Sequence, residues 1–74
     1  MRDVAISSEH IALGQLLKLA GILGTGGEVK LFLAETSITV NGEHDNRRGR
    51  KLYPGDVVSA EGHEPIRITA GAEE

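Results

Sequence analysis

The apolar residues of this chain change their spacing at Thr36, and that change restricts the fold more than any other feature. Before it, Leu13, Leu16, Leu17 and Ala20 fall at i, i+3, i+4 and i+7, the stripe of one helix face. Gly21 stands just past the stripe, where helices commonly stop. A loop through Gly24-Thr25-Gly26-Gly27 leads to a second short helix, from about residue 27 to 35, with Val29, Phe32 and Leu33 inward. Glu28 lies in its first turn, where the helix dipole favours negative charge. After Thr36, Ile38 and Val40 alternate with Ser37 and Thr39, the period of a half-buried strand.

Turn signals place the remaining strands. Asn41-Gly42 tolerates positive φ and marks a tight turn. Pro54-Gly55 suits the centre of a type II turn at which two strands meet, and Ile66 and Ile68 mark a last strand. Val4 to Ile6 is a candidate further strand of the same sheet. The order predicts an α+β fold, with two short helices packed on a small antiparallel sheet. Residues 1–10 read as an N-terminal segment, 11–69 as the domain, and 70–74 as a frayed acidic tail.

Length limits what such a fold can do. A chain of 74 residues forms one small domain and buries roughly 60% of its unfolded surface. Phe32 and Tyr53 are its only aromatic residues, so Leu, Ile, Val and Ala must build the core. There is no cysteine, which excludes disulfides and thiolate metal sites. The apolar run Leu31-Phe32-Leu33 is too short for a membrane span. The expectation is a soluble, cytoplasmic monomer.

Several apparent sites fail on chemistry. His10, His44 and His63 have no ligand spacing. Gly24-Thr25-Gly26-Gly27 lacks the Lys-Ser or Lys-Thr of a phosphate loop, and Val29 occupies the third-glycine position of a dinucleotide fingerprint. Ser7 and Ser8 adjoin Glu9 and His10, but adjacency does not place a base. Neither an enzymatic activity nor a cofactor is expected.

The charge pattern is more informative. The chain has 11 acidic and 8 basic residues, a formal charge of −3, yet Arg47, Arg48, Arg50 and Lys51 hold half the positive charge. Residues 18–51 carry a net +2 and the remainder a net −5. One basic face on an acidic body suits a defined polyanion and discourages loose binding elsewhere. Arginine forks grip phosphate bidentately and stack on unpaired bases. Gly26 and Gly27 would leave the first amides of the second helix uncovered, a natural phosphate seat, with Thr25 either capping that helix or reaching a phosphate oxygen and with Lys30 and Lys18 flanking it.

These segments together resemble a known family. Gly14-Gln15-Leu16-Leu17-Lys18, Thr25-Gly26-Gly27-Glu28-Val29-Lys30, Ile38-Thr39-Val40-Asn41-Gly42, Arg47-Arg48-Gly49-Arg50-Lys51-Leu52 and Pro54-Gly55-Asp56-Val57-Val58 are similar, in order and spacing, to the S4 RNA-binding domain. The likeness is strongest to the stand-alone bacterial members of the YaaA/YbcJ type. It implies the alpha-L type of RNA-binding motif, which binds structured ribosomal or transfer RNA, or ribosomal particles, largely through shape and phosphates. By motif position, the implied contacts are Lys18, Thr25, Gly26, Gly27, Lys30, Asn41, Arg47, Arg48, Arg50 and Lys51. The chain departs from the pattern at Ala12, where close relatives commonly carry a Thr cap.

Two other readings compete. The basic loop could serve a protein-interaction module on an acidic partner. Val-Asn-Gly followed by Leu-x-x-Gly-Asp-x-Val also resembles ubiquitin-like sulfur carriers. Those carriers end in Gly-Gly and begin with a hairpin, whereas this chain reads helix first and runs Gly71-Ala72-Glu73-Glu74.

Overall fold

The computed structural model describes residues 1–24 and 26–71. Nine elements follow one another among them: β1 (Arg2–Ile6), β2 (Ile11–Ala12), α1 (Leu13–Leu19), α2 (Gly26–Glu35), β3 (Ile38–Val40), β4 (Glu43–His44), β5 (Lys51–Leu52), β6 (Val57–Ala60) and β7 (Ile66–Ala70). The change of period at Thr36 is thus the boundary between helices and most of the sheet. β1 covers the strand expected at Val4 to Ile6, and a second short strand, β2, which the helix-first reading did not include, also precedes α1.

The helix stripe does what its spacing requires. Leu13, Leu16 and Leu17 are fully buried, and Val29 and Leu33 of α2 complete the helical side of the core. Ile38, Val40, Val58, Ile66 and Ile68 supply the sheet side. Among the described residues no polar or charged residue is buried, so burial of aliphatic surface holds the layers together. Gly21 ends α1 at φ +79, with its N–H on the Lys18 carbonyl at 3.1 Å and the Ile22 N–H on Leu17 at 3.0 Å. This Schellman pair satisfies carbonyls that the helix leaves orphaned, and the Arg2 guanidinium adds a bond to the Ala20 carbonyl at 2.6 Å.

The main sheet has the order β1-β7-β6-β3-β4. Its inner pairs are antiparallel, but β1 runs parallel to β7, from Arg2 opposite Ile66 to Ile6 opposite Ala70. The sheet is therefore mixed: antiparallel from β7 to β4, as expected, with the parallel strand β1 added at one edge. A parallel pair needs a long crossover, and here both helices and five strands lie within it. Ala70 closes that pairing and the Gly71 N–H bonds the Ile6 carbonyl at 2.6 Å, so residues 70 and 71 belong to the sheet edge. The rest of the expected tail, 72–74, lies outside the described residues.

Both turns use their residues as expected, with one difference in what they join. Asn41 and Gly42 have φ of +54 and +87 between the paired residues Val40 and Glu43, the type I′ geometry of a two-residue hairpin. At Pro54-Gly55, Gly55 has φ +101 and the Asp56 N–H bonds the Tyr53 carbonyl at 3.0 Å. The strands meeting there do not pair with each other. β5 pairs with β2 in a separate two-stranded ribbon, while β6 enters the main sheet.

Candidate nucleic-acid interface

The basic loop is held against the helices by backbone bonds. The first amides of α1, at Leu13 and Gly14, donate to the carbonyls of Arg50 and Arg48 at 2.8 and 2.9 Å. Gln15 Oε1 accepts the Ala12 N–H at 3.1 Å. Loop carbonyls thus satisfy the helix start that Ala12, with no side-chain acceptor, cannot cap. The same bonds fix where Arg48 lies.

Gly14 lets Arg48 approach. A Cβ at Gly14 would stand 2.6 Å from Arg48 Cγ and 3.2 Å from Val29 Cγ1, so only a glycine leaves room for the arginine stem over the α1–α2 contact. Arg48 then lines two adjoining depressions. One, of about 260 Å³, includes Gly14, Gln15, Lys18 and Val29. The other, of about 430 Å³, includes Lys30, Leu33, Ala34 and Asn46. Among the described residues no carboxylate lines either one, so Lys18, Lys30 and Arg48 bring three positive charges from three segments onto one face. None of the three has an ion-pair partner among the described residues.

Arg47 and Arg50 are differently employed. Both bind Asp45, whose side chain is only 8% exposed. Arg47 approaches with Nε at 3.2 Å from Oδ1 and Nη2 at 2.8 Å from Oδ2, while Arg50 Nη1 lies 2.6 Å from Oδ2. The Arg47 N–H also donates to Oδ1 at 2.9 Å, closing an Asx turn. Bonds from the Arg47 side chain and backbone, then from Arg50, hold the Asp45 carboxyl far below the usual carboxylate range. One carboxylate thereby neutralises part of the cluster and pins its conformation.

The domain model for the S4 domain matches residues 4–69, nearly the whole chain. This chain belongs to the S4 domain family. Among similar proteins, one named probable ribosome maturation protein RlbA, from Bacillus subtilis, is 58% identical over 65 residues, covering 88% of this chain and 92% of that protein. A second, named putative RNA-binding protein YbcJ, from Escherichia coli, is 37% identical over 54 residues, covering 73% and 77%.

Within this S4 domain the ten residues singled out by sequence divide into groups. Lys18, Lys30 and Arg48 converge as described. Arg47, Arg50 and Lys51 line a neighbouring depression with Gly49. Gly26 and Gly27 form the first turn of α2, a Cβ at Gly27 would meet nothing within 4 Å, and Glu28 Oε1 accepts the Gly24 N–H at 3.0 Å just ahead of the helix. Thr25 lies outside the described residues. Asn41 is committed elsewhere: its Oδ1 accepts the Val57 N–H at 3.0 Å and its Nδ2 donates to Asp56 at 3.1 Å. Those bonds tie the β3–β4 turn to the start of β6. Sequence reasoning passed over Asp45 and Gly14 as working parts of the face. Asp two positions before Arg47 is the local signature of an Asx turn, and glycine in a helix's first turn signals a close approach.

Proposed function

We propose that this domain binds structured RNA in a ribosome-related setting, gripping phosphates with the face on which Arg48 lies between Lys18 and Lys30. That convergence carries the reading: three cations, supplied by α1, α2 and the loop and without ion-pair partners among the described residues, line depressions to which no described carboxylate contributes. Arg47, Arg50 and Lys51 extend the positive rim, and the glycine first turn of α2, with no side chain at Gly27, offers amides to a phosphate. The names of the two relatives, one for ribosome maturation and one for RNA binding, support the same direction. The face has the form of a positioning surface for phosphates and shape, with no step of bond chemistry assigned to it.

The test is binding to a labelled ribosomal RNA hairpin and to a DNA hairpin of matched sequence, across a salt series. Contact with four to six phosphates predicts a slope of log affinity on log salt of roughly −3 to −4, using the single-strand coefficient. A Lys18→Ala, Lys30→Ala, Arg48→Ala triple variant should flatten that slope by about 2. Wild-type protein that does not prefer RNA, or a triple variant that binds equally well, would overturn the proposal. Arg47 and Arg50 are left intact because replacing them would strand Asp45 and disturb the loop itself.

A further inference from the structure

Tyr53 is the only tyrosine in the chain and is 46% exposed, although the core could have used its ring. Its surroundings hold it outward. The β2–β5 ribbon pairs Ile11 with Leu52 and Ala12 with Lys51, and Leu52 is fully buried. Alternation along β5 puts Lys51 and Tyr53 on the side opposite Leu52. Continuing the register by one residue brings His10 opposite Tyr53, and the two rings lie 5.7 Å apart with a 48° tilt.

The backbone under both rings is fixed. The Tyr53 N–H donates to Asp56 Oδ2 at 2.8 Å, and its carbonyl accepts the Asp56 N–H across the Pro54-Gly55 turn. On the other strand, the Ser8 hydroxyl donates to the His10 carbonyl at 2.7 Å. An exposed tyrosine beside a half-buried histidine therefore lies on the ribbon next to Lys51, a residue of the basic rim.

We propose that the Tyr53–His10 pair is a stacking platform for an unpaired base of the bound RNA, with Lys51 holding that nucleotide's phosphate. This rests on the RNA-binding reading above and extends it to a further surface. Aromatic rings bind splayed bases through their π-faces, tolerate any sequence, and work beside a cation that holds the backbone. The domain would therefore favour RNA in which a loop or bulge adjoins a helix, over the same RNA fully paired.

A single tyrosine makes the test direct. Incorporation of 3-fluorotyrosine gives one ¹⁹F resonance, which should move upfield on adding a ribosomal RNA hairpin with a single-stranded loop, through the ring current of the stacked base. The fully paired duplex of the same stem should leave it nearly unmoved. Tyr53→Leu, which keeps bulk without a π-face, should weaken hairpin binding by about five- to a hundredfold, with Tyr53→Phe recovering most of the loss. Thermal melts show whether each variant is folded, and should Tyr53→Leu unfold, the wild-type ¹⁹F shift decides. If fluorescence anisotropy of the labelled hairpin shows binding while the resonance stays still, or Tyr53→Leu binds normally, the platform is refuted and the phosphate face stands. If the hairpin does not bind at all, both readings fall.

Discussion

Asp45→Asn sets electrostatics and loop order against each other. The substitution is isosteric and raises the formal charge of −3 by one, so charge alone predicts tighter RNA binding. The structure predicts the reverse. An amide keeps one acceptor oxygen for Arg47 but turns an NH₂ group toward the guanidinium that lies 2.6 Å from Oδ2. The Arg47 side chain is 71% exposed, so its fork is screened by solvent and contributes little. Arg50 is only 27% exposed, and a charge-assisted bond of that kind contributes about 1.5–3 kcal/mol. The loss should be about 2 kcal/mol, which in a domain of this size lowers Tm by roughly 8–16 °C.

RNA affinity should fall about three- to tenfold, because a loop without its pin presents Arg48 correctly only part of the time. Circular-dichroism melts and anisotropy binding on the same preparations measure both effects. An unchanged Tm together with tighter binding would refute the claim that Asp45 orders the face. The pH dependence supplies a second check. Because the folded pKa is depressed, the Asp45 contribution is complete above about pH 5 and is lost as pH falls through the folded value. The Tm gap between wild type and variant should hold from about pH 7 to pH 5 and narrow below about pH 4.

Gly14→Ala should push the Arg48 stem away, at an overpacking cost of about 1–3 kcal/mol that better helix propensity offsets in part. A Tm lower by about 4–8 °C with weakened RNA binding is expected, and an unaltered affinity would show that Arg48 does not need that seat. Asn41→Gly removes the bonds to Val57 and Asp56 but keeps the positive φ, whereas Asn41→Ala adds a left-handed penalty of about 1 kcal/mol. Urea denaturation should therefore rank alanine below glycine below wild type, with RNA affinity equal in all three under folding conditions. Reduced affinity at full stability would instead assign the Asn41 carboxamide to the RNA.

Much of the fold was legible because its signals are local. The 3.6 spacing of Leu13, Leu16 and Leu17, the alternation of Ile38 and Val40, and Gly at positive φ each reflect sterics within a few residues. The basic cluster was legible as composition, yet its internal division was not. Arg47, Arg48 and Arg50 look alike in the sequence, but two bind Asp45 and one lies between the helices. The two helix starts also differ in a way the sequence does not show: loop carbonyls occupy the start of α1, while no described atom lies within 4 Å of where a Cβ would stand at Gly27 in α2.

The sequence by itself determined the two helices, the strands around Ile38 and Val40 and around Ile66 and Ile68 and the glycine turns, and that positive charge is concentrated in an acidic chain. Tertiary structure alone decided that β1 runs parallel to β7, that β5 leaves β6 to pair with β2, and that Arg48 lies between Lys18 and Lys30. The physical reason is range. Periodicity and turn preference are settled by neighbouring residues, whereas strand direction and the choice of ion-pair partner depend on groups that only the packed core brings together.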